Sequence, residues 1–166
     1  MPMVRKVLDL LEQALGGACI LAFVVMFVLG VLTVVFRFVV ESSLAFPDEL
    51  IRYLFVWATF LGAAVAFRRN MHAAIGVVVS HCPPRLKRVA LLSATAMCGL
   101  FFAVIFWSSL AITQRALPQI SPALEISMAW VYAAVPAGMA ILFVYAVELF
   151  IKQWRTPAAD LLADDH

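Results

Sequence analysis

Apolar and charged residues along this chain alternate in long blocks and not in short periods. Uncharged, mostly apolar runs extend from Gln13 to Phe36, Tyr53 to Phe67, Val89 to Thr113 and Ile126 to Val147, and the charges gather between them. A helix rises about 1.5 Å per residue, so about 20 apolar residues cross a hydrocarbon core of about 30 Å. The first, third and fourth runs meet that length. The second covers only about 22 Å, so either Arg52 or Arg68 snorkels to a headgroup or the turn from Asp48 to Arg52 is shielded by protein. The pattern predicts an all-α integral membrane protein with four transmembrane helices over about residues 14–36, 48–67, 89–113 and 122–147. They form one four-span domain, residues 1–155, with a flexible cytoplasmic tail over 156–166.

Two shorter patterns add to these spans. Val4, Val7, Leu8, Leu10 and Leu11 recur at helical spacing among Arg5, Lys6, Asp9 and Glu12, which predicts a short interfacial helix at the N-terminus. Ala73 to Ser80 is too short to span and predicts a second interfacial helix in the loop, ending before Pro83 and Pro84. Pro47 suits the first turn of the second helix, where Asp48 and Glu49 complement the positive end of the helix dipole. Ala58, Gly62 and Ala66 then form a small-residue stripe on which another helix can pack closely. Ser121 and Pro122 read as cap and first residue of the fourth helix, and Pro136 predicts a kink within it.

Composition agrees with lipid as the solvent: 65% of residues are hydrophobic and 13% charged. The placement of Lys and Arg sets the orientation. Arg5, Lys6, Arg68, Arg69, Arg85, Lys87, Arg88, Lys152 and Arg155 fall on one side of the spans, and Arg37, Arg52 and Arg115 on the other. By the positive-inside rule both termini are cytoplasmic and the loops 37–50 and 114–125 lie outside. An apolar run from Ala14 to Phe36 exceeds a signal peptide's core of about 7–15 residues, so it reads as an uncleaved anchor. Cys19 and Cys98 sit in spans and Cys82 in the loop, a spacing that predicts neither a disulfide nor a zinc site.

The candidate chemistry is sparse. The spans offer Thr33, Thr59, Ser93, Thr95, Ser108 and Ser109, which commonly bond their own helix backbone, and no charge stands mid-membrane. His72, His81 and His166 are all placed in cytoplasmic segments, which does not suit a bis-histidine haem site. No nucleophile pair or metal motif suggests an enzyme, and no cofactor is expected. The distinctive feature is the turn Asp48-Glu49-Leu50-Ile51-Arg52, where Arg52 can pair with Glu49 or Asp48. It reads either as an ion pair anchoring a helix end or as a contact with another subunit. Trp57 lies within the second span, whereas Trp107, Trp130 and Trp154 stand nearer the interfaces, as an aromatic belt requires.

The string Phe46-Pro47-Asp48-Glu49-Leu50-Ile51-Arg52-Tyr53-Leu54-Phe55-Val56-Trp57, followed by Phe60-Leu61-Gly62-Ala63-Ala64 and then Arg68 and His72, resembles a segment of a known family. That family is the small membrane subunit, Q-type or DctQ-like, of tripartite ATP-independent periplasmic (TRAP) transporters. Ser121-Pro122-Ala123-Leu124 with Tyr132, Pro136 and Gly138 resembles its fourth helix, and the likeness covers roughly Val7 to Phe150.

The resemblance implies a subunit of the bacterial inner membrane that does not transport alone. A large membrane subunit would carry an organic acid and sodium, a periplasmic solute-binding protein would deliver the solute, and this chain would support the large subunit. It implies no nucleic-acid partner. Glu49, Arg52, Trp57 and Gly62 become candidates for the large-subunit interface, Arg68 and His72 form the cytoplasmic loop motif, and Arg37 and Arg115 become candidates for docking the binding protein. The alternative from another class is a self-sufficient four-span exporter of the small multidrug-resistance kind. It requires a membrane-embedded carboxylate in the first helix, and Glu12, which precedes the apolar run, is the one candidate.

Overall fold

The computed structural model describes the backbone of residues 2–40, 45–79 and 84–155, with the side chains of residues 6–40, 45–69, 86 and 88–155. The tail expected over 156–166 lies outside these residues, as does Cys82. Among these residues five helices follow one another: α1 (Pro2–Val39), α2 (Phe46–Val79), α3 (Pro84–Arg115), α4 (Ala129–Tyr132) and α5 (Ala134–Arg155). Among the described residues there is no strand, only an isolated antiparallel bridge between Ile120 and Ser127. Of the described residues, four stretches are long and apolar enough to cross a membrane: Lys6–Val39, Phe46–Arg69, Arg88–Arg115 and Ala129–Arg155. The chain is an all-α membrane protein.

The two segments expected as interfacial helices are helical, but each is continuous with a span: residues 2–13 with α1 and residues 70–79 with α2. No Pro or Gly interrupts either junction, from Val4 to Leu15 or from Ala64 to Ile75, so nothing in the backbone forces a bend. The fourth span differs from expectation at its start. Residues 122–127 are not α-helical, and helix begins at Ala129. It breaks at Ala133, three residues before Pro136. Pro136 has no N–H to give the Tyr132 carbonyl and its ring crowds that carbonyl, which accounts for the interruption. The ladder resumes with the Ala137 N–H on the Ala133 carbonyl at 3.1 Å.

The helices stand in the order α1, α2, α5, α3, each packed on the next. Their shared core lies toward the Arg68 end of the molecule, where Leu8 and Leu15 of α1, Ala64 of α2, Phe102 of α3 and Leu142, Tyr145 and Ala146 of α5 are buried together. Phe67 and Phe102 meet edge to face with centroids 5.2 Å apart. Small residues set the close approaches, as expected where no hydrophobic force acts between helices in lipid. A methyl group on Gly138 would lie 2.7 Å from Phe60 Cβ, which marks the tightest approach of α5 to α2. Away from the core, one face of α1 is bare: Phe27, Val31, Val34 and Phe38 are all exposed.

Candidate functional site

Among the described residues, polar groups concentrate in two clusters, one at each end of the α2 span Phe46–Arg69. At the first, Glu49 is 4% exposed although it stands in the opening turn of a helix. Its Oε2 accepts the backbone N–H groups of Ala123, at 2.9 Å, and Leu124, at 3.0 Å. Its Oε1 accepts the Tyr53 hydroxyl, which also lies 3.2 Å from Met128 Sδ. Two consecutive N–H groups pointing the same way form a small anion cradle. The sequence builds it locally: Ser121 Oγ accepts the Leu124 N–H at 3.2 Å, and the Ser121 carbonyl accepts that of Glu125 at 3.2 Å. Ser121 therefore caps a single turn. Glu125 then takes a φ of 53°, which reverses the chain and keeps that turn from growing into a helix. The Ser121 N–H to Ile126 carbonyl bond, 2.9 Å, and the Met128 N–H to Gln119 carbonyl bond, 2.8 Å, close the hairpin.

Arg52 does not pair with Glu49. It is exposed, and its Nε donates to the Asp48 carbonyl at 3.3 Å, while the Glu49 carboxylate turns inward to donors it meets nowhere in its own helix except at Tyr53. Trp57 Nε1 donates to the Trp130 carbonyl at 3.1 Å, a second tie between α2 and the fourth span. Gly62 faces α1, with Cys19 Sγ 3.8 Å from the position of an added Cβ, and the Cys19 thiol lies 3.8 Å from the Ala58 carbonyl. Within the small-residue stripe Ala58 is buried and Ala66 exposed. Arg37 is exposed at the end of α1 with its guanidinium 5.9 Å from the centre of the Phe38 ring. Arg115 is exposed in the last turn of α3, where a cation complements the helix dipole.

At the other end Arg68 uses every N–H it has. Nη1 donates to the Leu8 carbonyl and to Glu12, both at 2.8 Å; Nη2 to Asp9 at 2.6 Å and Glu148 at 3.4 Å; and Nε to Glu148 at 3.3 Å. The guanidinium also lies 5.2 Å from the centre of the Tyr145 ring. Its side chain is 14% exposed, and those of Glu12 and Glu148 are 19% and 26% exposed. Arg69 adds a contact of 2.6 Å to Glu12. A planar fork with five fixed donors suits this role where a lysine does not. One side chain of α2 thus ties α1 to α5, and it has no donor left for a ligand. His72 lies on α2 a turn further on, with its side chain outside the described part.

The structure thus takes Glu49, Trp57 and Gly62 into contacts within the chain and leaves Arg52, Arg37 and Arg115 outward. Spacing alone missed Glu49's backbone partners, which stand 74 and 75 residues away. It carried a partial signal for the Arg68 cluster, because Glu12, Arg68 and Glu148 each border an uncharged run at the same end of the spans. Among the described residues no group of His, Cys, Asp and Glu could hold a metal ion.

A family model for tripartite ATP-independent periplasmic transporters, DctQ component, matches residues 26–156. A Haemophilus influenzae protein named as a TRAP transporter small permease is 38% identical over 82 residues, 49% of this chain and 51% of that protein. The C4-dicarboxylate TRAP transporter small permease protein DctQ of Vibrio cholerae is 25% identical over 151 residues, 72% of this chain and 65% of that protein. The sialic acid TRAP transporter permease protein SiaT of Haemophilus influenzae is 28% identical over 144 residues, which are 84% of this chain but 22% of SiaT. The chain therefore spans about half the length of the first of these relatives, under two thirds of the second and less than a quarter of the third.

Proposed function

Since this chain belongs to the DctQ component family of tripartite ATP-independent periplasmic transporters, we propose that it is the small, non-catalytic permease subunit of such a system. It supports a large transport subunit and helps dock a periplasmic solute-binding protein during sodium-driven uptake of an organic acid. It lies in the bacterial inner membrane with both termini cytoplasmic, so the Arg68 cluster faces the cytoplasm and the Glu49 cluster the periplasm. The large subunit holds the sodium sites, and this chain needs no cofactor.

The observation that carries this reading is where the polar groups stand. A transporter holds solute and ions near the midplane on broken helices or intramembrane charges. Here the charged side chains of the spans sit at the two ends, and each cluster is consumed in fastening helices together. What remains is a row of helices with long apolar faces, which suits a support and not a pathway. SiaT supports the same reading, because a stretch like this chain there forms part of a much longer permease. Arg52, exposed beside the Glu49 cradle, remains the candidate contact with the large subunit, with Glu49 and Trp57 ordering the helix that presents it. Arg37 and Arg115, exposed at helix ends on the same side, are the candidates for meeting the binding protein. The relatives named for C4-dicarboxylates and sialic acid support a carboxylate solute. Glu12 does not favour the exporter, because Arg68 and Arg69 already occupy it.

The test is reconstitution. Liposomes that hold this chain with the large subunit, supplied with binding protein, are expected to take up solute with a sodium gradient, and liposomes with this chain alone are not. Uptake by the chain alone defeats the proposal.

A further inference from the structure

The hairpin that Glu49 holds also carries an unusual surface. Leu117 is 62% exposed, Ile120 70%, Ile126 40% and Trp130 67%. Pro118 and Pro122 are exposed beside them, and from Leu117 to Trp130 Glu125 is the sole charged residue. A loop that stands in water commonly shows polar side chains and leaves backbone groups to the solvent. This one bonds much of its backbone within the protein. Leu117 gives its N–H to Gln114, Gln119 to Ala116, Ser121 to Ile126 and Met128 to Gln119, and the N–H groups of Ala123 and Leu124 go to Glu49. Irregular backbone near hydrocarbon needs that kind of internal satisfaction.

Its height agrees. Arg68 and Glu49 lie on one helix, α2, and the rise between them is about 28 Å, just short of a hydrocarbon core of about 30 Å. If Arg68 marks one boundary, the hairpin bonded to Glu49 marks the other. α1 provides a second ruler, because Glu12 starts at Arg68's height and the uncharged run from there continues to Phe36, about 36 Å along the helix, before Arg37 ends it. Side chains that require hydrocarbon thus reach at least as far as the hairpin.

We infer that the hairpin Leu117–Trp130 seats in the boundary between headgroups and acyl chains of the leaflet at the Glu49 end, with phospholipid as its partner. Leu117, Ile120 and Ile126 enter the acyl region, and Trp130 takes the interfacial position that suits an indole. The inference rests on the chain's crossing a bilayer and is independent of its role in transport. It also separates the apolar hairpin from Arg115, which precedes it and stays available to a partner in water.

The test uses the full chain in phospholipid vesicles with Cys19, Cys82 and Cys98 replaced by Ala. A bimane label is placed singly through Ile120→Cys and Leu117→Cys, both exposed positions whose replacement spares the core, and through Leu100→Cys as a mid-span reference. Phospholipid carrying a nitroxide near the headgroup is expected to quench the Ile120 and Leu117 labels strongly, and aqueous iodide weakly. A nitroxide deep in the acyl chain is expected to act chiefly on the Leu100 label. Strong iodide quenching at both hairpin sites would place the hairpin in water and overturn the inference. So would shielding from both quenchers, which would mean that a second copy of the chain covers it.

Discussion

A carboxylate 4% exposed at the end of a membrane helix is an expensive residue to keep, and Glu49 is stabilised by the three donors that converge on it. Replacing it with alanine leaves the Ala123 N–H without its acceptor and the Leu124 N–H with Ser121 Oγ alone, so Glu49→Ala should lower the melting temperature in detergent clearly more than Glu49→Gln, which keeps an acceptor oxygen. Equal losses would mean that the charge, and not the acceptor geometry, holds the hairpin. Glu125 offers the opposite experiment. A non-glycine residue at a φ of 53° carries a steric cost of about 1–2 kcal/mol, part of which glycine returns as unfolded-state entropy. Glu125→Gly is expected to raise stability by up to about 1 kcal/mol, measured in the same melt. The turn Asp48 to Arg52 was legible in the sequence as distinctive, but its geometry was not. Spacing offered Arg52 as partner, whereas the true acceptor sites are satisfied by backbone far along the chain.

At the scale of the elements, two glycines separate packing from mere smallness. An added Cβ at Gly138 meets Phe60 Cβ at 2.7 Å, so Gly138→Ala should cost about 1–3 kcal/mol by overpacking α5 on α2. At Gly62 it meets Cys19 Sγ at an ordinary 3.8 Å, so Gly62→Ala should stay within about 0.5 kcal/mol of the parent. Thermal melts of the two variants side by side check the contrast. Arg68 is the other test. Arg68→Ala leaves Glu12 and Glu148 partly buried beside each other and should cost about 2–3 kcal/mol, moderated because Asp9 is exposed. Arg68→Lys should recover only part of that loss, since an ammonium lacks the fork that reaches α1 and α5 together. The helices themselves were readable because uncharged runs of sufficient length have few alternatives in a bilayer. The start of the fourth was not. Ser121 and Pro122 carry a genuine capping signal, and Ser121 does cap a turn, but Glu125 at a φ of 53° turns the chain back.

At the scale of the molecule, the helices stand as a row in the order α1, α2, α5, α3. The row has its core at the Arg68 end, and α1 is fastened there by ion pairs to Arg68 and Arg69 and by the packing of Leu8 and Leu15. Toward its far end, from Phe27 to Val39, one face is bare at Phe27, Val28, Val31, Val34 and Phe38, and the other, with Leu29, Leu32, Thr33 and Phe36, is half-buried. A beam clamped at one end answers a load by pivoting at the clamp. When bilayer thickness changes, α1 should swing while the slab of α2, α5 and α3 keeps its shape. Spin labels at Val39 and Arg115 are then expected to change separation as lipid chains lengthen, and labels on α3 and α5 flanking the Thr95–Gln153 bond, 2.9 Å, are not. The subunit would in this way absorb the mechanical variability of its membrane in one helix and pass a constant shape to whatever rests on the other three.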